Sequence, residues 1–126
     1  MPAPRILIVE DNEQNRKLVR DVLAFKGYEV IEAETGEEGL RLARDRHPSL
    51  IMMDIRLPGI DGVETLRQLR AEEATRDIPV MALTASVMTA DQQRITQAGF
   101  DACQAKPISV KDFMATVERL VAPHRA

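Results

Sequence analysis

The chain has 126 residues, 44% of them hydrophobic and 29% charged, with a formal net charge of -3. That fits one soluble globular domain with a single core, and it is too short for two. There is no basic excess to mark a nucleic-acid footprint, no apolar run near the roughly 20 residues of a membrane span, and no hydrophobic leader after Met1-Pro2-Ala3-Pro4-Arg5, so a cytoplasmic protein is expected.

Short apolar runs alternate with longer amphipathic stretches along the chain, the pattern of βα units around a parallel sheet. Strand one spans about Arg5 to Glu10. Helix one follows from about Asn12 to Lys26, with Leu18, Val22 and Phe25 on one face and Gly27 as its stop. Strand two is about Glu29 to Ala33. Thr35 and Glu38 have capping-box spacing and open helix two, which must end before Pro48.

Strand three, Leu50 to Met53, lacks polar alternation and reads as a central strand covered on both faces. The turn-rich loop Leu57-Pro58-Gly59-Ile60-Asp61-Gly62 leads to helix three, with Val63, Leu66 and Leu69 at helical spacing. Pro79 can start strand four, where a missing N–H is tolerated. Thr89 and Gln92 repeat the capping spacing for helix four, which ends near Ala98 with Gly99 as its stop. Strand five leads to Lys106-Pro107; Ser109 and Asp112 cap helix five, with Phe113, Val117 and Leu120 as apolar positions. Cys103 is the lone cysteine, which rules out an internal disulfide, and its apolar run predicts a buried small hydrophobe. The expected fold is α/β: a doubly wound, flavodoxin-like parallel sheet of five strands in the order 2-1-3-4-5 with five helices. It forms one domain over residues 1–126, with its core at about 5–121 and no output domain.

Four strands end in reactive polar residues: Glu10 and Asp11, Asp54, Thr84, and Lys106. Ligands of an open parallel sheet bind in the crevice at the carboxyl ends of the strands, so the topology gathers these residues. Three carboxylates in one crevice repel unless something compensates. A hard divalent cation does so, and Mg²⁺ takes one or two carboxylates, waters and phosphate oxygens. Asp54, after the most apolar strand, is the candidate nucleophile for an aspartyl phosphate. Lys106 and the Thr84 hydroxyl would offset charge on the transferring group. An X–Pro bond tolerates cis at a cost of roughly 0.5–1 kcal/mol, so Lys106-Pro107 offers a place to turn the lysine back over the crevice.

These residues resemble the receiver domain of two-component response regulators, from Ile6-Leu7-Ile8-Val9-Glu10-Asp11-Asn12 through Met53-Asp54-Ile55-Arg56-Leu57-Pro58-Gly59-Ile60-Asp61-Gly62 and Leu83-Thr84-Ala85 to Ala105-Lys106-Pro107. Glu10-Asp11-Asn12 and Lys106-Pro107-Ile108-Ser109-Val110 look closest to single-domain receivers of the DivK type. The resemblance implies phosphoryl transfer to Asp54 from the phosphohistidine of a histidine kinase or histidine phosphotransfer protein. Mg²⁺ would be held by Asp11, Asp54 and the backbone carbonyl of Arg56, with Glu10 acting through water; Mn²⁺ could substitute. Thr84 and Lys106 would bind phosphoryl oxygens, and Thr84 would reset the surface of helix four, strand five and helix five toward a downstream protein target. The chain would also lose its own phosphate to water, without being an enzyme on other substrates.

Two positions depart from the family pattern. Glu10 stands where many receivers have aspartate, and Cys103 where receivers usually carry the Tyr or Phe that changes rotamer as the threonine moves. Phe100 reads as a packed hydrophobe rather than a substitute ring. Glu13, Arg16, Lys17 and Arg20 form the helix-one face that receivers use for docking, or a solvated face with i,i+4 pairs. Val87 and Met88 belong either to an output surface or under helix four. A Mg²⁺-dependent phosphohydrolase would want an acid where Arg56 stands. A flavin or nucleotide module would want a phosphate-cradling loop where Glu10-Asp11-Asn12-Glu13 stands. A phosphorylation-independent pseudo-receiver, or the receiver portion of a larger regulator or hybrid kinase, is the remaining alternative.

Overall fold

Apolar runs and local caps set the element boundaries. The computed structural model describes residues 4–55, 57, 59–84, 93, 95, 97–105 and 110–121. In chain order its elements are β1 (Arg5–Val9), α1 (Glu13–Phe25), β2 (Glu29–Ala33), α2 (Gly36–Arg46), β3 (Leu50–Asp54), α3 (Gly62–Ala71), β4 (Val80–Thr84), β5 (Ala102–Ala105) and α4 (Val110–Val121). The helix α4 is the fifth in the sequence reading. Where the sequence predicts helix four, Gln93, Ile95, Gln97 and Ala98 are helical, and Gly99 follows at a φ of 102°. Arg56, Pro58, Val87, Met88, Thr89, Gln92, Lys106, Pro107 and Ser109 lie outside the described residues.

The strands form one sheet in the order β2-β1-β3-β4-β5, and every adjacent pair is parallel. This is the predicted order. Right-handed crossovers explain how the helices divide. The chain moves one way from β1 to β2 and the other way from β2 to β3, which puts α1 and α2 on opposite faces. Ile6, Ile8, Met52 and Met81 pack with Val19 and Leu23 of α1 and with Phe113 and Val117 of α4. Their neighbours Leu7, Val9, Ile51 and Met53 point the other way, against Leu40 of α2 and Leu66 and Leu69 of α3. Both faces of β3 are covered, which is why its sequence lacks polar alternation.

Where their residues are described, the caps behave as their spacing predicts. The Thr35 side chain accepts from the Glu38 amide at 3.1 Å, and Glu38 accepts in return from the Glu34 amide at 3.0 Å. At the end of α1, Gly27 adopts a φ of 90°. The Gly27 amide donates to Ala24 at 3.0 Å and the Tyr28 amide to Leu23 at 3.1 Å, the paired bonds of a Schellman stop.

Two readings of the sequence are corrected. Leu18 and Phe25 do not face the core: Phe25 is 87% exposed, and the buried stripe of α1 is Val19 and Leu23. Cys103 is exposed rather than buried; it stands on β5, an edge strand of the sheet among the described residues. Phe100 is buried with the α2–α3 cluster, as a packed hydrophobe.

Candidate functional site

β1 and β3 deliver the acids. Val9 pairs with Met53 across the two strands, so Glu10 and Asp54 emerge side by side at the carboxyl end of the sheet. Both are buried, and Asp11 is exposed. Carboxylate oxygens of Glu10, Asp11 and Asp54 all lie within 4.8 Å of one another. The three acids thus meet at the carboxyl ends of the neighbouring strands β1 and β3.

The peptide frame around these acids is fixed by hydrogen bonds. The Glu10 amide donates to the Ala33 carbonyl at 3.0 Å, which extends the β1–β2 ladder by one residue. The Asn12 amide donates to Glu10 Oε1 at 3.2 Å. Asn12 also caps α1, accepting from the Asn15 amide at 3.0 Å through its side chain. Around Asp54, the Ile55 amide donates to the Leu83 carbonyl at 3.1 Å and the Gly62 amide to the Ile55 carbonyl at 2.9 Å. A Cβ on Gly62 would stand 2.5 Å from the Asp54 carbonyl oxygen, so only glycine lets α3 begin this close to the site. Asp61 caps α3, accepting from the Glu64 amide at 2.9 Å.

Thr84 ends β4 and is buried. Asp54 pairs with Leu83, so Thr84 lies one residue beyond Asp54 along the neighbouring strand. Thr84 pairs in turn with Ala105 on β5. Lys106 follows Ala105 directly in sequence. The structure thus brings Glu10, Asp11 and Asp54 together and puts Thr84 at the next strand end; the side chains of Arg56 and Lys106 are not among those it describes.

Carboxylate oxygens are the donors a hard divalent cation prefers, so this set fits Mg²⁺ or Mn²⁺ better than a soft metal. Cys103, three residues from Lys106, is no activated nucleophile: burial pushes its thiol above the ordinary thiol range.

The basic face of α1 is not simply solvated. Lys17 forms the expected i,i+4 pair with Asp21 at 3.3 Å. Arg16 and Arg20 instead reach β2: Arg16 Nε donates to Glu32 Oε1 at 3.0 Å, and Arg20 Nη1 donates to both Glu32 oxygens at 3.1 Å. Arg16 Nη1 also donates to the Glu10 carbonyl at 3.0 Å. A main-chain acceptor leaves no mark in the sequence, so this link to the acid cluster could not be read there. Among the described residues, no helix is long and apolar enough to cross a membrane.

The response regulator receiver domain family matches residues 6–118. The polar-differentiation response regulator DivK of Brucella ovis is 49% identical over 113 residues, which cover 90% of this chain and 92% of that protein. Among solved structures, the receiver domain of a sensor histidine kinase from Pseudomonas aeruginosa PAO1 superimposes with a TM-score of 0.89 at 33% identity, covering 95% of this chain and 98% of the other. That structure has a magnesium ion coordinated in its active site cleft. The signal receiver domain of a histidine kinase from Syntrophus aciditrophicus gives a TM-score of 0.89 at 30% identity, covering 96% of this chain and 92% of the other.

Proposed function

The chain belongs to the response regulator receiver domain family, and from that premise we propose that it is a phosphorylatable switch of a two-component system with Asp54 as its phosphoacceptor. The observation that carries this reading is the convergence of Glu10, Asp11 and Asp54 within 4.8 Å at the end of a strand buried along its whole length.

In the transfer step a carboxylate oxygen of Asp54 attacks the phosphorus of a phosphohistidine on a kinase or phosphotransfer protein. An O–P bond forms, the P–N bond breaks, and its electron pair stays on the imidazole nitrogen. The product is an acyl phosphate, which water later cleaves to inorganic phosphate and the free carboxylate. Positioning and electrostatics do most of the work in such a transfer. The buried Asp54 is aimed by the backbone bonds at Ile55 and Gly62. The Thr84 hydroxyl donates to a phosphoryl oxygen, and the Lys106 ammonium neutralises another. Glu10, Asp11, Asp54 and the Arg56 main-chain carbonyl would hold Mg²⁺, with Glu10 acting through water. When bound, the ion supplies positive charge against the carboxylates and the phosphoryl group.

Phosphorylation then resets the surface of the predicted fourth helix, β5 and α4, where a downstream protein reads it. Cys103 stands where most receivers carry a switching ring. A thiol neither fills nor vacates a pocket as a ring does, so the usual aromatic readout does not operate here.

The test is intact-protein mass with acetyl phosphate, with and without Mg²⁺, beside Asp54→Asn. A Mg²⁺-dependent gain of one phosphoryl mass that disappears in the variant is expected. No adduct, with no trapping by a beryllofluoride analogue, would overturn the reading in favour of a phosphorylation-independent binding module.

A further inference from the structure

Arg16 sits in the first turns of α1, and its guanidinium reaches three groups at once. Nη1 donates to the Glu10 carbonyl at 3.0 Å, Nε donates to Glu32 Oε1 at 3.0 Å, and Nη2 lies 3.5 Å from Glu34 Oε1. The side chain is only 13% exposed. A guanidinium presents its donors in a rigid planar fork, so the bond to Glu32 fixes the direction of the bond to Glu10. Glu32 is itself anchored, since Arg20 donates to both of its oxygens. The series Arg20, Glu32, Arg16 therefore ties β2 to the Glu10 carbonyl.

That carbonyl belongs to the peptide between Glu10 and Asp11. A peptide unit is planar and includes the Cα atoms on both sides. Holding its oxygen fixes the plane from which two of the three clustered carboxylates depart. The control matters because a glutamate has one more rotatable bond than an aspartate, and ordering it costs more side-chain entropy. Glu10 is held at its amide by Ala33, at its carbonyl by Arg16 and at its carboxylate by the Asn12 amide. Arg16 is paired with two glutamates, Glu32 and Glu34, so its charge is already offset and orientation is what it adds to the site.

We infer that Arg16 is a positioning residue of the cation site, fixing the Glu10–Asp11 peptide and the two carboxylates that leave from it. This rests on the reading of Glu10, Asp11 and Asp54 as a divalent-cation site. The test is a MgCl₂ titration of the full chain followed by amide shifts of Asp11, Asn12 and Asp54 in ¹H–¹⁵N spectra, whose dispersion also reports the fold. Arg16→Gln weakens Mg²⁺ binding by about tenfold, the low end for loss of an outer partner of a metal ligand. Arg16→Lys keeps the charge without the fork and stays near the Gln value; it carries the test alone if Arg16→Gln loses spectral dispersion. Lys17→Gln, which removes a neighbouring cation of α1 that pairs with Asp21 and stands outside this series, keeps the wild-type affinity. Wild-type affinity in Arg16→Gln, or its full recovery in Arg16→Lys, would overturn the inference. A wild-type chain showing no Mg²⁺-dependent shifts would instead overturn the cation-site reading beneath it.

Discussion

Val9 of β1 stands opposite Met53 of β3, and the residue that follows each is a buried carboxylate, Glu10 and Asp54. In a parallel pair, residues that follow a registered pair leave the sheet at the same end, so two separate sequence motifs become one acidic pocket. The pocket is built against repulsion, and a bound cation should stabilise the fold. Thermal unfolding should show about 2.7 kcal/mol of added stability at a Mg²⁺ concentration one hundred times its Kd. Asp54→Asn should raise the midpoint without metal and lose most of that increment. An equal Mg²⁺ increment in wild type and variant would count against Asp54 as a ligand.

Gly62 connects the fold to the pocket. A Cβ there would meet the Asp54 carbonyl oxygen at 2.5 Å and the Ile55 Cα at 2.9 Å, and both are backbone atoms that no rotamer change can move. Gly62→Ala should therefore destabilise the chain by about 3 kcal/mol, the upper part of the range for overpacking, and weaken Mg²⁺ binding as the Asp54 peptide shifts. Urea unfolding measures the first effect. A variant within experimental error of wild type would mean that α3 can start one step further from β3.

The strand ends and the sheet order were legible because both depend on strong signals. Central parallel strands are continuously apolar, and Asp54 and Thr84 end such runs. Thr35 with Glu38, and Gly27 after Phe25, marked helix boundaries through the chemistry of caps. The face of α1 was less legible, because Leu18, Val22 and Phe25 keep helical spacing as well as Val19, Val22 and Leu23 do. Packing against Ile6 and Ile8, not period, selects Val19 and Leu23. Cys103 is illegible for a related reason: an apolar run marks a strand, but not how far each of its side chains is covered. Arg16 reads from the sequence only as part of the charged face of helix one, because its partner at the site is a carbonyl that every residue possesses.

Exposure and acidity act in opposite directions at Cys103. The residue is exposed on β5, while burial of the thiol itself pushes its pKa above the usual range. The native chain should take up one maleimide without denaturant, yet more slowly at pH 8 than an unhindered thiol, because the thiolate is the nucleophile. The ratio of the two rates should approach one as pH rises. Labelling only after unfolding would show that β5 is covered in solution.

Glu72 gives the acid limb of the stability curve a specific test. Arg44 donates to it through Nε and Nη2, both at 2.7 Å, joining α2 to the end of α3. The hydrogen bond from Arg44 is the main reason the Glu72 carboxyl sits below the ordinary glutamate value of 4.5. A carboxyl with a depressed folded-state pKa adds stability that is fully present above the unfolded value and is lost as pH falls through the folded one. Both partners are largely solvated, so the contribution is small. Glu72→Gln should lower the urea midpoint slightly at pH 7, and the difference from wild type should close below the pKa of the folded carboxyl. A difference that stays constant down the whole acid limb would show that Glu72 acts through packing rather than through its charge.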